Sequence, residues 1–574
     1  MSSIAAESPT QLADAALDGA AATYPSGVAD AAPAGRTGFR QMTDAMLSLA
    51  IAVVLVRAFA VEGYMISTGS MAPTLPGFHK RVTCPDCRYE FAVGVADDEE
   101  LAQTAEHHGE DAKGTSSPPP KSETAVCPNC GLGGIDLRNV SRNQGDQLLV
   151  YKNAYLFRDP RRWEVVVFRN PDRSVQAYVK RVVGLPGETV EVIDGDVWID
   201  GKRIRKNLQE QRAVRIPVFD QQFAPQSGDG WQPRWVPEEN GGWTLADGGF
   251  DIAQGSGAGS HSAQHWVAYR HWVREGGQHR TAVKIPPEIA AIDFSFPALY
   301  PLRYDAQRQE LSHVGVLSDA DRQRILPTFS EPAFGRLVNR LAEESHLSPI
   351  IDDYGYNRRR DTRRPVAVRD LMVAFTLSLK GGNGRFFTEL TDGHRRFRFT
   401  LDVGTRDVSV GIAGKGSPIS RARLKAEALT KPLLVEMSLF DRQLLVAVDG
   451  HRVFKPIELN AVPRDTPAPR KPVRFGASAL DARVTELRLY RDIYYTKKGR
   501  ETKWTVGKGE YFVLGDNSPI SADSRVWPNC GVPRELLLGK PFLVHLPSRP
   551  GRLQLGKFEM NVRIPDFSRI RYIR

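Results

Sequence analysis

Only one stretch of this 574-residue chain is apolar enough, for long enough, to leave water. It runs from Ala45 to Val56 with Ser48 inside it, and Arg57 interrupts it. Counted from Met42 to Val61 it gives the roughly 20 residues that a bilayer core requires, with Arg57 close enough to the end to snorkel. Thr43 and Asp44 supply a helix start. Arg36 and Arg40 precede the run and place the N-terminus on the cytoplasmic side. Residues 42–61 are therefore predicted to be a single transmembrane anchor, and the rest of the chain to fold outside the cytoplasm. Residues 1–41, rich in Ala, Ser, Gly and Pro, are predicted to be a disordered cytoplasmic tail. The rival reading is a cleaved leader, since Ala58-Phe59-Ala60 has the Ala-x-Ala form of a cleavage site. The long polar leader and the bulky Arg57 speak against it.

The length exceeds what one core serves, so several domains are expected. Lys and Arg total 77 against 67 Asp and Glu, a formal charge of +10. No long basic run with interleaved aromatics accompanies that charge, which argues against a nucleic-acid partner. It suits an anionic membrane surface instead. Five cysteines are too few for a disulfide scaffold, and four of them form two Cys-x-x-Cys pairs, Cys84/Cys87 and Cys127/Cys130. Cys530 stands alone and is expected to be an idle thiol.

The pattern beyond the anchor is mainly β. Gln147–Tyr151, Glu164–Phe168, Ala177–Val183 and Thr189–Ile193 read as short strands. Asp194-Gly195 and Asp200-Gly201 read as hairpin turns. Ser318–Asp321 and Glu331–Glu344 read as helices, the second with Phe334, Leu337 and Leu341 on one face. Strands return at Leu371–Leu379, Gly384–Leu390, Arg396–Val403, Leu433–Leu439, Gln443–Val448 and Val484–Tyr490, with the Asp449-Gly450 turn between two of them. This rhythm predicts a β-sandwich within 207–504, clearest at 370–492. The acidic and then Ser/Pro-rich segment 97–125 is predicted to be a floppy insert.

Two positions carry chemistry. Ser70 follows the anchor closely, in Gly69-Ser70-Met71-Ala72-Pro73-Thr74-Leu75. Lys180 sits in the strand Tyr178-Val-Lys-Arg-Val-Val183. A serine hydroxyl needs a base to take its proton, and none of the 12 histidines lies in a triad motif. A lysine serves if it is neutral, and burial among apolar neighbours lowers its pKa. Lys180 shares a strand face with Tyr178 and Val182, so it can point into an apolar layer. Taken alone, Ser70 is a turn residue and the Lys180-Arg181 pair a solvated strand edge. A third segment, Gly515-Asp516-Asn517-Ser518 followed by Ser521-Ala522-Asp523-Ser524-Arg525, changes the weighting.

With Gly145-Asp146 and Lys180-Arg181-x-x-Gly184-x-Pro186-Gly187, these motifs and the preceding anchor resemble, in content and order, the bacterial type I signal peptidases. These are membrane-anchored Ser–Lys proteases. The resemblance implies Ser70 as nucleophile and Lys180 as general base. It implies an oxyanion hole from the Ser70 N–H and the Thr68 hydroxyl, and Ser521 orienting the lysine amine. Asp523 and Arg525 would be a bracing ion pair. It needs no cofactor for catalysis. It implies exported preproteins with small residues at −1 and −3 as substrates, cut at the outer face of the cytoplasmic (inner) membrane. The side chains Tyr64, Met65 and Ile66 would line substrate pockets or touch lipid. Two departures stand out: Ser67-Thr68 precede Gly69 where the family often has proline and serine, and Arg162-Trp163-Glu164 replaces its Arg-Gly-Asp, which leaves a turn in doubt.

On this reading the catalytic core comprises 62–83, 141–206 and 505–574. Residues 84–140 form a zinc-ribbon-like insertion, in which Cys84, Cys87, Cys127 and Cys130 suit tetrahedral structural Zn²⁺. One or two disulfides in an oxidising compartment are the alternative. The 207–504 insertion resembles a concanavalin-like sandwich by strand rhythm, with no ligand evident. The competing functional reading is an anchored extracytoplasmic binding or scaffold protein with an inert peptidase core. A self-cleaving Ser–Lys repressor would need DNA-binding helices that are missing from the pattern.

Overall fold

The computed structural model describes residues 34–95, 124–171, 176–226, 230–238, 242–253, 263–274, 280–294, 299–357, 366–499, 501–545, 547–555 and 558–573. The segment 97–123 of the expected floppy insert and residues 1–33 of the expected tail lie outside them. The chain divides into two units, Met1–Ala58 and Phe59–Arg574. The first contains a helix, Ala34–Phe59, that starts ahead of the Thr43-Asp44 cap and so takes in residues 34–41 of the expected tail. Its Gly38–Leu55 window is long and apolar enough to cross a membrane.

The second unit is built on β-sheets. An eight-stranded sheet runs in the order Val61–Met65, Gln147–Tyr151, Leu537–Val544, Val165–Arg169, Ala177–Gly184, Glu510–Leu514 and Val532–Pro533, with Arg571–Tyr572 paired to Leu537–Val544. Its neighbours are far apart in sequence: Val513 pairs with Val182. A four-stranded sheet joins Lys202–Arg203, Asp196–Ile199, Thr189–Ile193 and Lys503–Thr505. Its hairpin turns are Asp194-Gly195 and Asp200-Gly201, all four residues at positive φ (53°, 88°, 49° and 76°). This is the left-handed pair that matches the twist of adjoining strands.

The insertion is a two-layer sandwich that begins well before residue 370. One sheet joins Trp243–Ala246, Gly249–Ile252, Asp481–Arg491, Leu371–Gly381, Leu433–Ser438, Gln443–Val448 and His451–Arg452, with Ile216–Asp220 along Asp481–Arg491. The other joins Trp235–Pro237, His265–Tyr269, Val473–Ser478, Arg385–Thr391, Arg396–Asp402, Asp407–Ile412 and Ser420–Arg423. Between the layers, Phe375 lies 5.6 Å from Phe386 and Phe250 lies 5.8 Å from Phe475, ring centre to ring centre. A smaller body packs the helix Pro332–Ser345 on the sheet of Arg280–Lys284, Glu310–Val314 and Arg303–Asp305. Phe334, Leu337 and Leu341 face inward there, as their spacing predicts.

The cysteine module joins a three-stranded sheet, Glu90–Gly94, His79–Thr83 and Arg142–Asn143, to a two-stranded hairpin, Thr124–Ala125 and Ile135–Asp136, with one Cys-x-x-Cys turn in each. Its thiols lie in the same apolar cluster as Trp231, Trp272 and Phe219 of the insertion. Asn129 ties the module to the insertion by donating to the carbonyls of Asp220 and Phe223, at 3.3 and 2.9 Å. Arg274 pairs with Asp86.

Candidate active site

Ser70 sits on the loop that leaves the edge strand Val61–Met65. Ile66, Met71 and Leu75 pin that loop into the apolar cluster of Leu148, Val150, Val165, Val167 and Val544. Lys180 lies in the middle of Ala177–Gly184, where alternation turns the side chain into the protein and leaves it 3% exposed. The two residues meet: Lys180 Nζ is 2.6 Å from Ser70 Oγ. The Tyr178 ring centre stands 5.4 Å from the same amine. Burial is the main cause that lowers the Lys180 pKa from 10.5 to about 8; Asp523 pulls it back up, Arg525 pushes it down, and Asp516 raises it. A neutral amine here accepts the serine proton; the charged amine only donates to Ser70 Oγ.

The 515–525 segment closes the site. Asn517 N donates to the Ser70 carbonyl at 2.9 Å, and Asn517 Nδ2 donates to the Gly69 carbonyl at 3.1 Å. Gly515 has to be bare, because a Cβ there would meet both the Ser70 carbonyl and Ser521 Oγ. Asp516 takes a two-pronged bond from Arg181, at 2.8 and 2.6 Å. Asp523 takes another from Arg525, at 2.8 and 2.7 Å. Arg525 also donates to the carbonyls of Thr496 and Ser518. Burial pushes the Asp523 carboxyl up, but Arg525 and the Gly515 N–H outweigh it and hold it below its ordinary value. The hydrogen bonds of Asp523 and Arg525 thus brace the loop.

Thr68 is exposed, and its hydroxyl donates to Ser70 Oγ at 3.3 Å. Ser521 departs from expectation. It is fully buried, but its hydroxyl makes no hydrogen bond to Lys180. Met65 is exposed, Tyr64 half-buried and Ile66 buried. Trp163 takes up the doubtful turn at φ 69°, a left-handed conformation that favours glycine. Its carbonyl accepts from Arg181 Nη1 at 2.7 Å, and Lys206 stands 4.6 Å from its ring centre.

Three residues of the insertion reach this loop without any sequence signal. Tyr354 donates its hydroxyl to the Asp516 carbonyl, Tyr356 donates to the Phe78 carbonyl, and Asn357 pairs with Asn517. Their role exists only in the folded arrangement, and no local motif marks them.

The four thiols of the cysteine module converge, each Sγ lying within 4.8 Å of the others. Cys84–Cys130 and Cys87–Cys127 are 3.6 Å apart, as free thiols and not disulfides. Four sulfurs about 2.3 Å from a central zinc would be about 3.8 Å apart, so the cluster fits that ion. Each Cys-x-x-Cys turn repeats one pattern. The first cysteine N–H bonds five residues on (to Tyr89 and Leu132), and its carbonyl accepts from Arg88 N or Gly131 N. Arg88 and Gly131 both have positive φ. Cys530 is half-buried, with its thiol toward the Thr505 carbonyl.

The structure thus places a serine hydroxyl against a buried lysine amine on a β core. The profile of the family described as "Signal peptidase, peptidase S26" matches residues 139–242 and 455–546. Those ranges hold Lys180 and Ser521; Ser70 lies ahead of them. "Probable signal peptidase I-2" of Synechocystis is 41% identical over 84 residues, 12% of this chain and 38% of its own. "Signal peptidase I V" of Bacillus subtilis is 38% identical over 82 residues, 14% of this chain and 47% of its own. "Signal peptidase I" of Leptolyngbya laminosa is 43% identical over 70 residues, 11% and 34%. Over these segments the chain is similar to the type I signal peptidases of family S26. It spans between a third and a half of the length of these curated relatives. Among solved structures, a carbohydrate binding module, CBM66 from Bacillus subtilis, covers 21% of this chain and 74% of its own at 13% identity and a TM-score of 0.17. That score carries no argument.

Proposed function

We propose that this protein is a membrane-anchored serine endopeptidase that removes signal peptides from exported preproteins. The observation that carries this reading is the 2.6 Å approach of Lys180 Nζ to Ser70 Oγ with the lysine buried. Neutral Lys180 takes the Ser70 proton as the hydroxyl attacks the scissile carbonyl. The Ser70 N–H and the Thr68 hydroxyl hold the oxyanion, and Lys180 returns the proton to the leaving amine. Water then releases the acyl group by the same steps in reverse. The helix Ala34–Phe59 anchors the core to the cytoplasmic membrane, with the catalytic unit on the extracytoplasmic side. Substrates with small residues at −1 and −3 fit an extended peptide lying beside the edge strand Val61–Met65.

Catalysis draws on no cofactor. Cys84, Cys87, Cys127 and Cys130 hold one structural zinc, and four thiolates leave it no open position for substrate.

Cleavage of a preprotein reconstituted with the full chain in vesicles tests the reading. Wild type cuts at the leader boundary, while Ser70→Ala and Lys180→Ala do not. Wild-type rate in either variant would discard the dyad.

A further inference from the structure

The nucleophile loop is clamped from outside the peptidase core. Asn517 is fully buried and uses its backbone N–H on the Ser70 carbonyl and one amide hydrogen on the Gly69 carbonyl. Its two remaining side-chain sites face Asn357. Asn357 Nδ2 donates to Asn517 Oδ1 at 2.8 Å, and Asn517 Nδ2 donates to Asn357 Oδ1 at 2.7 Å. The Gly69 carbonyl needs a donor, and only the NH2 end of the Asn517 amide can donate, so this bond fixes which way the amide points. Asn357 reads that orientation with a matching donor and acceptor.

The segment that carries Asn357 is itself held on both sides. The Tyr356 ring lies where a Cβ on Gly69 or on Gly94 would be, so both glycines leave room for it. Tyr356 donates to the Phe78 carbonyl at 3.0 Å, and its own carbonyl accepts from Gly94 N at 2.8 Å. Tyr354 donates to the Asp516 carbonyl at 3.0 Å. Behind it, Arg491 from the end of a sandwich strand stands 4.6 Å from the Tyr354 ring centre and donates to the Asp353 carbonyl at 2.7 Å. A continuous path of contacts therefore runs from the sandwich to the two carbonyls that bracket Ser70.

We infer that Asn357 of the insertion is a positioning residue for the nucleophile, acting through Asn517 to fix the peptide units on either side of Ser70. This rests on the peptidase reading. Without Asn357, Asn517 loses a donor and an acceptor in a part-buried pair. Its amide turns to find others and releases the Gly69 carbonyl. Ser70 Oγ then samples positions away from Lys180, while the surface that receives the peptide is unchanged.

Asn357→Ala, Asn517→Ala and the double variant decide this in the full chain, with wild type assayed alongside. Asn357→Ala is expected to lower kcat about tenfold with KM nearly unchanged. The double variant should be no slower than Asn517→Ala alone, because the two act as a unit. Hydrogen exchange of peptides covering residues 66–76 should quicken in Asn357→Ala, and the variant should still unfold cooperatively. A kcat within about twofold of wild type overturns the inference, as does a change confined to KM or a double variant whose losses multiply. If wild type cleaves nothing, the peptidase reading falls. The exchange measurement then decides alone, and unchanged protection at 66–76 overturns the clamp.

Discussion

Lys180 must be neutral to act as a base, and the strand that carries it enforces this by burial. With the pKa lowered to about 8, roughly a tenth of the enzyme holds the neutral amine at pH 7, against about 3 in 10⁴ for an ordinary lysine. The rate constant kcat/KM is therefore expected to rise through pH 8 and level off above it, measured with a peptide substrate across pH 6–10. A flat profile over that range would assign the proton transfer elsewhere. The same burial costs stability. Between pH 8 and 10.5 the unfolded chain binds the proton that the folded chain has shed, so the penalty is full below 8 and fades as pH climbs to 10.5. Lys180→Met is expected to be inactive yet more stable by about 3 kcal/mol at pH 7, with the gain shrinking above pH 8 in urea titrations. At this scale the sequence drew attention to Ser70 and Lys180 only through the company of the 515–525 segment, and the fold brings the two side chains within 2.6 Å. Ser521 was a weaker case, since a hydroxyl's direction depends on the packing of Gly515 against it. Trp163 shows how a departure is accommodated. The turn keeps its left-handed conformation, and the indole sits 4% exposed beneath Lys206.

The elements that alternation and Asp-Gly turns announced are the long ones, such as Ala177–Gly184, Leu371–Gly381 and Arg396–Asp402. Trp235–Pro237, Trp243–Ala246 and Gly249–Ile252 escaped because three or four residues are too few to show a period, and glycine-rich stretches separate them. They gain their pairing from strands hundreds of positions away; Phe250 lies opposite Val484. On the proposed zinc reading, the cysteine module is the element that leans most on something outside the polypeptide. Its few strand pairs enclose little apolar surface of their own, and its thiols share a cluster with Trp231 and Trp272. Stripping zinc with a strong chelator, or Cys127→Ser, is expected to abolish bound metal by elemental analysis. It should also lower Tm by several degrees, because such sites contribute folding energy directly. Full Tm in a metal-free protein would remove the ion from the account of this fold.

Across the whole molecule, the junction between the four-stranded sheet and the sandwich is ionic. Lys206 Nζ lies 2.6 Å from Asp441 and 2.9 Å from Asp492, all three nearly inaccessible to water. Burial pushes Asp492 up to about 7 despite that lysine, and also raises Asp196 and Asp370 nearby. A buried pair is weak evidence of net stabilisation, but removing one partner strands the other. Lys206→Ala should destabilise the protein by about 3 kcal/mol or more, read from the urea midpoint. An unchanged midpoint would mean the modules do not depend on this contact.

The strand Glu510–Leu514 lies along Ala177–Gly184, and Arg181 reaches Asp516, 335 positions further on. A chain made from its N-terminus presents Ser70 and Lys180 long before residues 510–525 exist to confine them. Until those residues arrive, the lysine has no closed pocket and stays protonated, and the serine has no base. On the peptidase reading proposed above, the order of synthesis alone then keeps the site unassembled until the last segment of the core has been made.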